Sequence, residues 1–285
     1  MNRPSNARPS GDASSFIVHR SSLLTMAILN VTPDSFSDGG MHFDPVVAIE
    51  AALRMEADGA AMIDVGGEST RPGSDAVPID EELARVIPVI EGIRRRSGIP
   101  ISIDTRKARV AEAAIEAGAN IINDVSALRH DPEMRPLAAR TGASVILMHM
   151  RGEPRTRQEH PQYDDVVRDV ASELATWRDE AIAAGVAKDK IYVDPGIGFG
   201  KTYAHNLALL AHCDELARIA PVVIGASRKG FIGHLTGQPN GAPRMAGSLA
   251  AVAAAHRGGA AIVRVHDVRE TVDFLKVLNA IEPRT

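Results

Sequence analysis

Eight short apolar runs, each followed by a polar residue and a plausible helix, predict an α/β chain closed as a single-domain (β/α)8 TIM barrel. Three observations carry that expectation. The runs are continuously apolar rather than alternating, as parallel strands covered on both faces are. The strand-then-helix pattern repeats without a break in composition, which argues against an internal domain boundary. A length of 285 residues also suits one barrel. The expected strands are Met26–Leu29, Ala61–Val65, Ile101–Asp104, Asn120–Asn123, Ser144–Met148, Lys190–Val193, Val222–Gly225 and Ala261–Val265.

Residues 1–14 are rich in Ser, Pro, Asn and Arg and lack the apolar centre of a secretory signal, so they read as a disordered tail before a barrel domain at 15–285. Phe16-Ile-Val18 suits a short structural flap. The first strand ends at Asn30, and Thr32 to Gly40 then combines turn formers with side-chain oxygens, a composition that suits a loop closing over a ligand. The second helix, Glu81 to Arg96, opens with acids at Asp80, Glu81 and Glu82, where a helix amino terminus favours them. Pro88 inside it should kink or interrupt the run. Val110, Ala113, Ala114 and Ala117 share one face of the third helix, and Val167, Val170, Leu174 and Trp177 one face of a later helix; both faces should pack on strands. Asp267 and Glu270 have the spacing of a capping box for the last helix. The penultimate helix, Arg244 to Arg257, is apolar around most of its circumference, which points to a homodimer formed through it.

An apolar share of 45% supports a large core, and a formal charge of −4 gives no electrostatic reason to expect nucleic acid or anionic membrane as a partner. No stretch has the length and apolarity of a membrane span. The single cysteine, Cys213, shares a helical face with Leu209 and Leu216 and reads as core; it excludes an internal disulfide framework and suits a reducing cytoplasm.

Barrel enzymes place their chemistry at the carboxyl ends of the strands. Those ends carry Asn30, Asp64, Asp104, Asn123, His149, Asp194, Ser227 and His266. Turn-forming or helix-capping roles would explain one or two of them, but not a polar residue after every run. Asp104, Asn123 and Asp194 should point into the barrel mouth. Buried carboxylates need donors, so they suit either a ligand edge of amine and ring N–H groups, as in guanine or a pterin, or a divalent metal.

Gly66 to Gly73 adds flexible backbone, hydroxyls and the Arg71 guanidinium, a combination suited to an anion. Arg264 and His266 lie on one side of the eighth strand, near the phosphate site that barrels often build from their last loops. Asp194 to Lys201 supplies three glycines for close backbone approach and the ring of Phe199 for an aromatic substrate. Its spacing is not that of a P-loop. Lys229, within Ser227-Arg-Lys-Gly230, can donate to a ring acceptor.

Asn30-Val-Thr-Pro-Asp-Ser-Phe-Ser-Asp38, Gly67-Glu-Ser-Thr-Arg-Pro-Gly73, Asp194-Pro-Gly-Ile-Gly-Phe-Gly200 and Ser227-Arg-Lys229 together resemble the motifs of the dihydropteroate synthase family, in order and spacing, over nearly the whole chain after the tail. The resemblance implies an enzyme of folate synthesis joining p-aminobenzoate to a dihydropterin diphosphate. It implies Asp104, Asn123, Asp194 and Lys229 around the pterin ring, with Met148 packed on it and Arg264 stacked. It further implies Asn30 as a contact to Mg²⁺, and Arg71, Arg264 and His266 around the diphosphate. Thr70, Arg71, Pro72, Phe199, Ser227 and Lys229 would shape the p-aminobenzoate pocket, and Lys229, Asp104 and Arg264 would form the catalytic set. The family pattern is broken at Ala27, where glycine is frequent, at Gly230, where serine is frequent, and in the variable stretch Arg151 to Arg157; none of these removes a site residue. Two other readings are a methyltetrahydrofolate:corrinoid methyltransferase, whose first loop and Ser227-Arg-Lys229 segment would fit poorly, and a non-catalytic pterin-binding paralogue, which should have lost site residues.

Overall fold

The structure is a computed structural model and describes residues 23–32, 44–69, 76–151, 161–239 and 244–282. Its strands are β1 (Leu24–Asn30), β2 (Met62–Gly66), β3 (Ile101–Asp104), β4 (Ile121–Asp124), β5 (Ser144–Met148), β6 (Ile191–Asp194), β7 (Val223–Ile224) and β8 (Ile262–Val265). All are parallel, in the order β6-β5-β4-β3-β2-β1-β8-β7, and a parallel bridge between Val193 and Val222 joins the two ends. The predicted barrel is therefore present. The seventh strand is shorter than its apolar run suggests, because Val222 serves the closing bridge and the Pro221 carbonyl accepts from Val193 N at 3.0 Å.

Around the strands pack α1 (Pro45–Ala57), α2 (Ile79–Arg94), α3 (Ala108–Glu116), α4 (Met134–Thr141), α5 (Val166–Ala183), α6 (Tyr203–Ala211), α7 (Cys213–Leu216), α8 (Gly230–Thr236), α9 (Met245–Arg257) and α10 (Val268–Ile281). The expected face of α5 is buried at Val167, Val170, Leu174 and Trp177, and Cys213 is buried beside Leu209 and Leu216. On α3 Val110 and Ala114 of the expected face are buried together with Ala108 and Ala111, while Ala113 and Ala117 are half-buried. Of the kink or interruption expected at Pro88, the interruption does not occur: α2 runs through the proline as one helix. A proline costs about 3 kcal/mol in a helix interior. Val86, Val89, Ile90 and Ile93 are fully buried around it, and at about 1.5–3 kcal/mol each they outweigh that loss.

Strand alternation divides the interior in two. Outward-facing residues such as Ile63, Val65, Ile103, Ile122 and Val193 join the helices in the main core. Inside the barrel, Met26, Met62, Ile121, Ile146, Tyr192, Val223 and Ile262 form a separate apolar plug. Two residues further along their strands stand Asp64, Asn123, Met148, Asp194, Gly225 and Arg264, so the period of two that builds the plug also lifts a polar layer onto it.

The tail at 1–14, Phe16–Val18, the loop at 33–40, Thr70, Arg71, Pro72 and residues 152–157 lie outside the described residues.

Candidate active site

Asp104, Asn123, Val125, Met148, Asp194, Gly196, Ile197, Phe199, Gly225, Lys229 and Arg264 line one cleft above the plug. Seven of the residues expected at the site thus meet in one place. Asp104 and Asn123 are in direct register across β3 and β4, as are Met148 and Asp194 across β5 and β6.

Arg264 organises the acidic side. Its Nε donates to Asp64 Oδ2 at 2.6 Å and its Nη2 to Asp104 Oδ2 at 2.8 Å. Asn123 Nδ2 donates to the same Asp64 oxygen at 3.1 Å. Asp64 is a strand-end residue for which no site role was expected, yet it orients both groups while fully buried. One guanidinium between two carboxylates leaves the charge unbalanced. Burial therefore pushes the Asp104 carboxyl up to about 7; Arg264 pulls it down, and Asp64, Glu82 and Asp124 push it further up. Burial also raises Asp194, against the lowering effect of the Gly196 N–H at 2.7 Å and of the Lys229, Arg264 and Lys201 charges. Burial disfavours the Arg264 charge, but Asp64 and Asp104 overcome it and keep the guanidinium ionised. The cleft thus presents carboxylates short of donors, the complement of a flat ring edge bearing N–H groups.

The opposite wall is apolar. Val125, Met148 and Phe199 form a small cluster of their own, and Lys229 Nζ lies 4.1 Å from the centre of the Phe199 ring. Beside the cleft, Ser227 Oγ accepts from the His266 backbone N–H at 3.2 Å and lies 3.0 Å from its Nδ1. Burial, with Arg228 and Arg264 nearby, holds the His266 imidazole down at about 4, so the ring is neutral near pH 7.

Ser227 and Lys229 flank Arg228, a non-glycine residue held at φ +58°. Such a conformation costs about 1–3 kcal/mol and persists only when its surroundings enforce it. Here the Arg228 N–H donates to Ser248 Oγ at 3.0 Å, and Arg244 Nη1 donates to the carbonyls of Arg228 and Lys229 at 3.1 Å each. The Arg228 guanidinium pairs with Asp267. That pairing corrects the expected capping box of α10: the Asp267 side chain makes no cap hydrogen bond.

Asn30 closes β1 at the same end of the barrel, partly buried and in register with Gly66. Among the described residues, no three His, Cys, Asp or Glu side chains gather as a metal cluster. Thr70, Arg71 and Pro72 are not among the described residues, but the segments on either side meet at Lys107, whose Nζ contacts Glu68 and donates to the Val77 carbonyl at 2.6 Å.

Fold and cleft define a pterin-binding barrel: a closed parallel sheet whose mouth offers acceptors to a heterocyclic edge and an apolar wall to an aromatic ring. The family described as pterin binding enzyme matches residues 26–266. A dihydropteroate synthase of Escherichia coli (strain K12) is 48% identical over 256 residues, 90% of each chain. A solved structure of Xanthomonas albilineans dihydropteroate synthase with 4-aminobenzoic acid superposes with a TM-score of 0.87 at 46% identity, covering 93% of this chain and 95% of that one. Another from the same organism, in complex with 7,8-dihydropteroate, gives 0.84 at 44% identity, covering 94% and 96%. The chain belongs to the dihydropteroate synthase family of pterin-binding enzymes.

Proposed function

We propose that this transferase condenses 6-hydroxymethyl-7,8-dihydropterin diphosphate with p-aminobenzoate, giving 7,8-dihydropteroate and diphosphate in folate biosynthesis. The observation that carries the reading is the convergence of Asp104, Asn123, Asp194 and Lys229 with the Met148–Phe199 wall in one cleft. A barrel stripped of its site residues would not retain that set, so the non-catalytic reading has no support. The methyltransferase reading gains none from the Ser227–Lys229 turn.

In this reading Asp104, Asn123 and Asp194 bind the pterin edge, Met148 packs on the ring, and Arg264 stacks against it while its counter-charges fix its plane. Lys229 donates to a ring acceptor. Arg71, Arg264 and His266 hold the diphosphate, and a neutral His266 does so as a hydrogen-bond donor. Thr70, Arg71, Pro72, Phe199, Ser227 and Lys229 shape the p-aminobenzoate pocket. Mg²⁺ is commonly held by one or two protein oxygens together with substrate phosphates, and Asn30 at the barrel mouth fits that mode. When bound, the ion supplies neutralising charge to the leaving group.

The C–O bond to the diphosphate breaks first, and its electron pair leaves on the diphosphate oxygen. The electron-rich pterin spreads the positive charge left on the methylene carbon. The arylamine nitrogen then forms the C–N bond and loses a proton. Among the described residues no side chain in the cleft is placed as an activated nucleophile, and in this reading the reaction passes through no covalent enzyme adduct.

We further infer a cytoplasmic homodimer that meets through α9. Ala246 and Ala250 of that helix are exposed and Leu249 and Ala253 half-buried, and the helices α6 and α8 that contact it carry the exposed Tyr203, Leu207 and Leu235. The deciding experiment for the activity is incubation of pure folded protein with the dihydropterin diphosphate, p-aminobenzoate and Mg²⁺. Dihydropteroate is the expected product, and its absence refutes the assignment.

A further inference from the structure

Behind the apolar wall of the cleft lies a buried polar chain that the reaction as described does not use. Lys201, at the end of the loop after β6, is 3% exposed. Its Nζ donates to the Phe199 carbonyl at 3.0 Å and to the His149 carbonyl at 3.3 Å, and it lies 3.0 Å from His149 Nδ1. An ammonium has three donors and no acceptor, so the three surrounding acceptors match it fully.

That match fixes the imidazole tautomer. Nδ1 must accept, the ring proton sits on Nε2, and Nε2–H donates to Glu173 Oε2 at 3.1 Å. His149 is fully buried, and burial holds it down at about 4, against the Glu173 hydrogen bond and with Lys201 and Arg151 adding to the lowering; it is neutral. Arg151 Nε clamps Glu173 at 2.9 Å, and Trp177 stacks on the imidazole with ring centroids 5.3 Å apart.

Burial lowers Lys201 to about 7, so keeping an ammonium here has a cost that a methionine of similar length would avoid. What the ammonium achieves is a link between two backbones. One is that of His149, directly after Met148; the other is that of Phe199. These two side chains, with Val125, are the apolar wall. Gly196 permits the approach: it holds φ +68°, and a Cβ there would sit 2.0 Å from the His149 carbonyl oxygen. Tyr163 adds a second tie by donating from its hydroxyl to the Gly200 carbonyl at 2.9 Å.

We propose that Lys201 is a positioning residue for the arylamine half of the reaction, setting the spacing of Phe199 and Met148 by holding the His149 and Phe199 carbonyls on one ammonium. The proposal rests on the assignment of Phe199 to the p-aminobenzoate pocket. Displacement of that ring would also remove its contact with the Lys229 ammonium.

The test is steady-state kinetics and direct pterin binding on the full chain, with thermal melting of every variant. Lys201→Met should raise KM for p-aminobenzoate about tenfold and change the affinity for the dihydropterin diphosphate less than threefold. Lys201→Gln, which keeps two N–H donors, should give an intermediate rise of about threefold and serves if the methionine variant does not fold. In ¹⁵N-histidine spectra of the wild-type protein, His149 should appear as the neutral Nε2–H tautomer; the Nδ1–H form or a charged ring overturns the proposal, whatever the variants do. Phe199→Ala separates the two layers of argument. An unchanged arylamine KM in Phe199→Ala defeats the pocket assignment itself. If Phe199→Ala raises that KM while folded Lys201→Met leaves it at the wild-type value, or if Lys201→Met only lowers the melting temperature, the positioning role is refuted.

Discussion

Replacing Arg264 with methionine should destabilise the unliganded protein in a way that depends on pH. The guanidinium lies between two carboxylates, 2.6 Å from Asp64 and 2.8 Å from Asp104, whose side chains are 0% and 10% exposed. Removing one partner from a buried ion pair costs about 3–5 kcal/mol, because the remaining charge is stranded. Unfolding entropy of about 2.1 cal/mol/K per residue, over this chain, converts that loss to a melting shift of about 5–8 °C. The pH dependence follows from Asp104. Its folded pKa is already raised to about 7, and Arg264 is the main influence holding it down. Without Arg264 it rises further above the unfolded carboxylate range of about 3.9. A carboxyl raised in the folded state binds protons there before it does in the unfolded chain, so lowering the pH stabilises the fold across that window. The deficit of Arg264→Met relative to wild type should therefore be larger at pH 8 than at pH 6. Urea denaturation at both pH values, with unchanged m, measures it. A deficit below about 1 kcal/mol at pH 8, or one equal at both pH values, would show that the carboxylates do not depend on this guanidinium.

Asp194→Ala should weaken pterin binding by about 10- to 100-fold in calorimetry, since ring N–H groups left unpaired cost about 1–3 kcal/mol; wild-type affinity would remove Asp194 from the site. Lys229→Ala should lower kcat by about a hundredfold, the scale set by removing one charge-stabilising donor, and product assays read this directly. Chelation with EDTA should abolish turnover and added Mg²⁺ should restore it, while binding of a pterin lacking the diphosphate stays constant. In sedimentation, wild type should run as a dimer at micromolar concentration and Leu249→Glu as a monomer; an unaltered dimer would exclude the α9 face.

The barrel was legible in the sequence because buried parallel strands leave continuous apolar runs, and all eight strands begin and end within a residue or two of the expected positions. Asp104, Asn123 and Asp194 were legible for the same reason, as polar residues where an apolar run stops, and Arg264 through its alternation with His266 on the last strand. Asp64 was harder to read. An aspartate in that position is often a turn former, and only the fold shows it accepting from residues 59 and 200 positions away. The Lys201–His149–Glu173 chain has no sequence period at all; it exists because Gly196 lets two loops touch. Pro88 and Asp267 misled in opposite ways. At Pro88 tertiary burial overrode a local rule, and at Asp267 a longer-range ion pair took the side chain that a local rule had assigned to a cap.

The two-residue offset between the apolar plug and the polar layer acts like a reading frame. Met62 and Asp64, Ile121 and Asn123, Tyr192 and Asp194, and Ile262 and Arg264 are each separated by one residue that faces the helices. Deleting that single intervening residue would not trim a strand; it would exchange inside for outside for everything beyond the deletion, sending a carboxylate or guanidinium into the hydrocarbon layer and an aliphatic chain into the mouth. Insertions and deletions that preserve the chemistry are therefore confined to the connections, so diversification of this barrel must proceed by substitution within its strands and by length change only outside them.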